Sequence, residues 1–154
     1  QALMQSPEQM KLLLDNLDNV EVVNNAVEEM IRWSTPFVRM ARTLTRDYEY
    51  HGKKMKEGQQ IIMLYPAANR DPNVFDNPYE FDIQRTFKRP AVSFGYGKHF
   101  CIGASLARLE LKIFLEEVLK RLPDMAMHPE KPPIQNPSSF IRGLKSLPVT
   151  FSAD

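Results

Sequence analysis

Residues 92–122 join a glycine-punctuated loop to the strongest helical pattern in the chain, and that junction limits what the chain can fold into. In "VSFGYGKHFCIGASLARLELKIF", Gly95, Gly97 and Gly103 are three of six glycines, and they surround Cys101, the only cysteine among 154 residues. Helical spacing begins at Ile102, and the long helix is assigned to 104–122. Leu106, Leu109, Ile113, Phe114 and Val118 form its predicted apolar stripe, and Pro123 stops it. Cys101 is thereby expected at the N-terminal edge of a helix, where the dipole and free N–H groups stabilise a thiolate. Gly95 and Gly97 allow a tight path whose N–H groups can point at the sulfur. Gly103 lets the backbone approach whatever the sulfur holds.

The segments before this junction are short. Residues 1–36 read as helices: Ser6 as N-cap with Pro7 at the first helical position, then a second helix that Pro36 stops near Thr35. Alternation and β-formers mark 37–65 as one small antiparallel sheet, with turns at "HGKK" and "KEGQQ" and "IIMLY" as a buried strand. Residues 66–91, broken by prolines and turn pairs, read as an irregular meander. After the 92–103 loop and the long helix, 123–154 read as a loop and a closing hairpin around Gly143. The expected class is mainly α with small antiparallel sheets, α+β, in which helices bury the core. Trp33 and the eight methionines are assigned to that core, and His51 and His128 to turn and loop.

Charge and cysteine content narrow the function. The net charge is +1, so nothing global points to nucleic acid, and no apolar run approaches the ~20 residues that span a bilayer. One cysteine makes no internal disulfide, and no secretory leader is evident, so the chain reads as cytoplasmic. It opens at Gln1 in mid-pattern and reads as one partial domain, the C-terminal portion of a longer protein. Residues 84–121 carry eight basic and three acidic side chains. They read either as a solvated face or as a docking face for an acidic partner.

Three chemistries compete for Cys101. It is a small buried filler, as most free cysteines are; or a nucleophile with His99 as base; or a metal ligand. No local zinc pattern joins it to His51, His99 or His128. A lone thiolate suits a cofactor that brings its remaining ligands, as haem does.

"FGYGKHFCIG" resembles the F-x-x-G-x-x-x-C-x-G haem loop of the cytochrome P-450 family, through Phe94, Gly97, Cys101 and Gly103. "EMIR" is similar to its E-x-x-R pair, Glu29 and Arg32, and "FDIQR" ends in Arg85, where the family keeps a second arginine. "NRDPNVFDNPYEFD" resembles the family's meander, and "RTLTRD" the strand after the E-x-x-R helix. Motif order agrees from about residue 7 to 151, most closely with soluble bacterial members.

The resemblance implies haem b (iron protoporphyrin IX) with Cys101 as axial thiolate, Phe94 beside the sulfur, and Gly95, Gly97, Ile102 and Gly103 as backbone clearance. It places Arg42 and His99 on the haem propionates, and it makes Glu29, Arg32 and Arg85 a buried charge network beneath the cofactor. It sends Phe37, Val38, Phe140 and Ile141 toward a lipophilic substrate, the alternative being plain core packing. Lys88, Arg89, Lys98, Arg108 and Lys112 become a docking face for a ferredoxin or flavoprotein reductant. The implied activity is a monooxygenase that inserts one oxygen atom of O2 into a steroid, isoprenoid or fatty chain. The family's acid–threonine pair for oxygen activation has no counterpart in 1–154. A rival expectation for the isolated 154 residues is therefore a haem-free, silent, self-associating domain, and a more remote one is a thiol enzyme.

Overall fold

Helix α2 (Val20–Ser34) organises the chain, and both its ends are closed locally. Asn19 caps the start, its side chain accepting from the N–H groups of Glu21 and Val22. Thr35 ends it in the left-handed conformation, φ 38°, with its N–H on the Ile31 carbonyl, and Pro36 prevents continuation. Helix α1 (Pro7–Leu14) precedes it, with Pro7 in the first turn; Ser6 occupies the cap position without a side-chain capping bond. The computed structural model describes residues 1–152.

The core lies between α1, α2 and the long helix α4 (Ala104–Arg121). Leu13, Val23, Ala26 and Val27 close against Ile83 from the meander and Leu115 and Leu119 from α4. Burying each larger aliphatic side chain there contributes about 1.5–3 kcal/mol. Of the methionines only Met10 is fully buried, and Trp33 is half-buried with its ring edge-on to Phe81.

The predicted stripe of α4 is not the face that packs. Leu106, Leu109, Ile113 and Phe114 are each about half exposed or more, whereas Ala104, Leu115 and Leu119 are buried. The helix is apolar on two sides, and α2 covers only one of them. Its first residue is Ala104, with Gly103 as cap, so Cys101 lies outside the helix rather than at its edge.

The expected single sheet resolves into two separate ladders. Strands β1 (Arg39–Thr43) and β4 (Gln60–Leu64) pair antiparallel, with Arg42 opposite Ile61. Strands β2 (Tyr48–Tyr50) and β3 (Lys53–Met55) form a hairpin across His51 and Gly52. β4 is not a buried strand: Ile62 and Leu64 on one face are exposed, and Ile61 and Met63 on the other are half-buried. A one-turn helix α3 (Tyr65–Ala68) opens the meander, which is otherwise irregular.

The closing hairpin is also different. β5 (Ala126–Met127) pairs with β8 (Val149–Thr150), and β6 (Ile134–Gln135) with β7 (Leu144–Ser146). β7 and β8 therefore do not pair with each other. Leu147 and Pro148 separate them, and the N–H of Asn136 reaches the Gly143 carbonyl to close the 136–143 loop. Gly143 stands at the end of that loop, not at its tip.

Candidate functional site

The Cys101 loop is built by two left-handed glycines. Gly95 has φ 77° and Gly97 φ 75°, conformations that other residues rarely adopt. A Cβ on Gly95 would also meet the Tyr65 hydroxyl and the His99 carbonyl, each at 3.5 Å. Three of the loop's N–H groups donate to its own carbonyls: Gly95 to Val92, Phe100 to Gly97 and Cys101 to Phe94, at 2.8, 3.0 and 2.9 Å. The Cys101 side chain is left exposed, so it is no buried filler.

Cys101 opens onto a cavity of about 1560 Å³. Phe94, Gly95 and His99 from the same loop share its wall. Across from them, Val38, Met40 and Arg42 line it together because alternate residues of an extended chain share one face. Phe37 lines it as well. Phe140 and Ile141 stand behind this wall: Ile141 bridges Phe37, the Phe140 carbonyl accepts from Val38 N–H at 3.0 Å, and the Phe37 and Phe140 rings meet edge-on at 5.5 Å. Ile102 is fully exposed and Gly97 has open space around its α-carbon, so neither joins the wall.

Below the cavity Glu29, Arg32 and Arg85 are brought together, the first two without measurable exposure. Arg32 grips both carboxylate oxygens of Glu29 at 2.7 Å, and Arg85 Nε adds a third contact at 3.0 Å. The remaining donors hold the meander: Arg32 donates to the carbonyls of Asn69, Pro78 and Glu80, and Arg85 to those of Asp76, Asn77 and Glu80. A buried carboxylate matched by two cations and saturated with hydrogen bonds offsets its desolvation cost.

Asn69, which the sequence reading passes over, ties this network to the Cys101 loop. Its Oδ1 accepts from Val92 N–H at 2.8 Å, and its Nδ2 donates to Ser93 Oγ at 2.8 Å and Thr35 Oγ1 at 2.9 Å. Ser93 in turn donates to the Ile31 carbonyl of α2. Arg70, another unassigned residue, stacks 5.0 Å from the Trp33 ring and donates to the Trp33 carbonyl. Burial first, and the neighbouring Arg32 cation second, hold its guanidinium below its ordinary pKa.

The basic residues divide. Arg89 and Lys98 are exposed. Lys88 is exposed but paired with Asp76 at 2.8 Å. Lys112 is largely covered and faces Glu116 at 3.9 Å, and Arg108 is bound to Glu28. Of the five expected docking cations, Lys88, Arg108 and Lys112 thus have acidic neighbours within the fold, and the last two are also largely covered.

The set fits haem: an accessible thiol, a cavity walled mostly by apolar groups, and two cationic or donor side chains, Arg42 and His99, facing the same space. Arg42 is exposed and its guanidinium donates only to the adjacent Ala41 carbonyl, which leaves its charge available to a carboxylate. Among the described residues no cluster of His, Cys, Asp and Glu could hold a metal ion by itself. No helix among them is long and apolar enough to cross a membrane.

The chain is similar to known proteins over nearly all its length. The family model described as Cytochrome P450 matches residues 5–151. The chain is 42% identical over 134 residues to the steroid C26-monooxygenase of Mycolicibacterium smegmatis, covering 87% of this chain and 33% of that protein. It is 41% identical over 152 residues to the methyl-branched lipid omega-hydroxylase of Mycobacterium tuberculosis, covering 98% of this chain and 34% of that one. Among solved structures, P450BioI in complex with a hexadec-9Z-enoic acid ligated acyl carrier protein superposes with TM-score 0.90 at 40% identity, over 97% of this chain and 38% of that chain. CYP109E1 from Bacillus megaterium, in complex with testosterone, also gives 0.90, at 32% identity, over 98% and 41%. The chain thus spans about a third of the length of the curated relatives it matches. With a family model matching it over residues 5–151 and relatives 42% and 41% identical over most of its length, the chain belongs to the cytochrome P450 family.

Proposed function

We propose that the protein of which these residues form part is a haem-thiolate monooxygenase acting in the cytoplasm on a lipophilic small molecule. The observation that carries the reading is the exposed Cys101 thiol on a cavity wall shared with Arg42 and His99. Haem, when bound, would supply the oxygen-inserting chemistry, and the Cys101 thiolate would hold its iron. The chain's own residues hold and shield it. Arg42 and His99 pair with its carboxylates, Phe94 covers the sulfur side, and the charge network fixes the meander below. Gly95 keeps the loop tight against Tyr65.

Phe37 and Val38, backed by Phe140 and Ile141, give the substrate side an apolar wall. That wall suits a steroid, isoprenoid or fatty chain, and the named steroid and lipid relatives support the same class. Arg89, Lys98 and Lys88 offer a basic rim to an acidic ferredoxin or flavoprotein.

The test is absorbance. The full-length protein, loaded with haem, reduced and exposed to carbon monoxide, is expected to show the red-shifted Soret band of a thiolate-ligated complex. Its absence overturns the reading, and Cys101→Ser is expected to abolish the band.

For the 154 residues alone a second reading rests on α4. Leu106, Leu109, Ile113 and Phe114 leave one side of that helix apolar and open, and such a face favours self-association over haem binding. Light scattering and haem titration of the isolated chain test it, and a monomer with stoichiometric haem overturns it.

A further inference from the structure

The arginine that the sequence assigns to a docking rim is turned inward. Arg108, on the second turn of α4, directs Nε and Nη2 at the two carboxylate oxygens of Glu28 on α2, and Nη1 at the Ala104 carbonyl. Its Cζ lies 4.8 Å from the centre of the Phe94 ring, within cation–π range. The pair is about two-thirds covered, with side-chain exposures of 33% and 30%. Phe94 is the residue whose carbonyl receives the Cys101 N–H, and it lines the same cavity as Cys101. Glu28 thus aims Arg108 at Phe94, and Phe94 holds the backbone of the cysteine. The neighbouring Glu29 serves the meander through Arg32 and Arg85, so two adjacent acids on α2 hold two different segments of the chain.

We infer that Arg108 is a positioning residue for the thiol loop, stacking on Phe94 under the control of Glu28, and that its charge contributes to the potential felt by a thiolate-bound group. This rests on the haem-thiolate reading. A partly covered cation near the site favours any state that gains negative charge there, because it is screened less than a surface cation. A docking arginine would act only when the protein reductant is present, so a measurement without that reductant separates the two roles.

The experiment uses the full-length haem-loaded protein, titrated with a chemical reductant and mediators, with no protein partner. Arg108→Gln is expected to lower the iron reduction potential and to speed loss of the red-shifted carbon monoxide band. Glu28→Gln, which removes the anion and keeps one acceptor oxygen, is expected to shift the potential upward. Arg108→Lys keeps the charge but loses the two-point grip on Glu28. It is expected to hold the potential near that of the parent while still shortening the lifetime of the band. Lys131→Gln, at an exposed position between β5 and β6 and away from the cavity lining, is the comparison: its partner-free potential is expected to match the parent's. Should Arg108→Gln fail to take up haem, Glu28→Gln and Arg108→Lys decide the question. If the variants that load haem keep both the parent potential and the parent band lifetime, the inference is overturned. A parent protein lacking the red-shifted band would instead overturn the haem-thiolate reading, so the two failures are distinguishable.

Discussion

Arg85 meets Glu29 across 56 residues of chain, Nε to Oε2 at 3.0 Å, and both side chains are almost completely buried. The contact pins the meander to α2, and Arg85 also satisfies carbonyls of Asp76, Asn77 and Glu80. Replacing Arg85 with methionine leaves Glu29 with one cation and strands the Asp76 carbonyl, while those of Asn77 and Glu80 keep their bonds from Glu80 N–H and Arg32. Breaking one side of a buried ion pair costs about 3–5 kcal/mol. Urea unfolding of the full-length protein is expected to show a loss of that size, with haem released earlier in the transition. An unchanged midpoint would remove the network from the list of what holds the fold.

Asn69 carries a second prediction. It is completely buried, and three groups depend on its side chain: Val92 N–H, Ser93 Oγ and Thr35 Oγ1. Asn69→Leu fills much of the volume but strands the Val92 N–H, at about 1–3 kcal/mol, while the Ser93 and Thr35 hydroxyls keep their donated bonds to the Ile31 and Arg32 carbonyls and lose only the one they accept. Asn69→Asp keeps the shape and the Val92 contact while losing both donated bonds. Both variants are expected to destabilise the protein, and hydrogen exchange is expected to rise first at Val92 and along the Cys101 loop. Exchange that rises evenly over the whole molecule would argue against a local tie.

The Glu29–Arg32 pair is legible in sequence because "EMIR" resembles the family's E-x-x-R pair, whose three-residue spacing puts both side chains on one helix face. The loop glycines are legible because only a backbone with φ > 0 calls for two of them so close together. Asn69 is not legible: its partners lie on α2 and on the loop, and no local period reports them. The α4 stripe misleads for a different reason. Leu106, Leu109 and Ile113 repeat as regularly as Leu111, Leu115 and Leu119, and periodicity cannot say which stripe α2 will cover. The final strands mislead because Gly143 looks like a turn centre, whereas the pairing partner of 144–146 lies upstream at 134–135. Arg108 is read as a surface cation because its partner, Glu28, is 80 residues away.

The β2–β3 turn gives a third prediction. His51 has φ 46° and Gly52 φ 72°, so both central residues of this two-residue hairpin are left-handed, as a type I′ turn requires. Histidine tolerates that conformation less well than asparagine does. His51→Asn is expected to stabilise the hairpin by roughly 1 kcal/mol or less. The edge-on contact between His51 and Tyr50, at 4.3 Å, offsets part of the gain. Amide exchange of Tyr48–Met55 reads the effect, and faster exchange in the variant would show that the ring contact outweighs the backbone strain.

The same hairpin is clipped at its open end by Asp47, and the clip depends on pH. Asp47 Oδ2 accepts from Lys56 Nζ at 2.6 Å and Oδ1 from the Glu57 N–H at 3.0 Å. These bonds, the Lys56 one first, hold its carboxyl below the usual carboxylate range. A depressed carboxylate pKa means the unfolded segment binds the proton more readily. The stabilisation is therefore fully present above the ordinary aspartate value of about 4, and it is lost as pH falls below it through the folded value. Asp47 is exposed, so the contribution is modest and falls with added salt. Exchange protection of the hairpin amides is expected to decline in acid, once corrected for intrinsic exchange rates. In Asp47→Asn the part of that decline belonging to the clip is expected to vanish, with protection already lower at neutral pH. If the variant keeps the parent's protection at neutral pH and the same acid profile, Asp47 does not hold this turn.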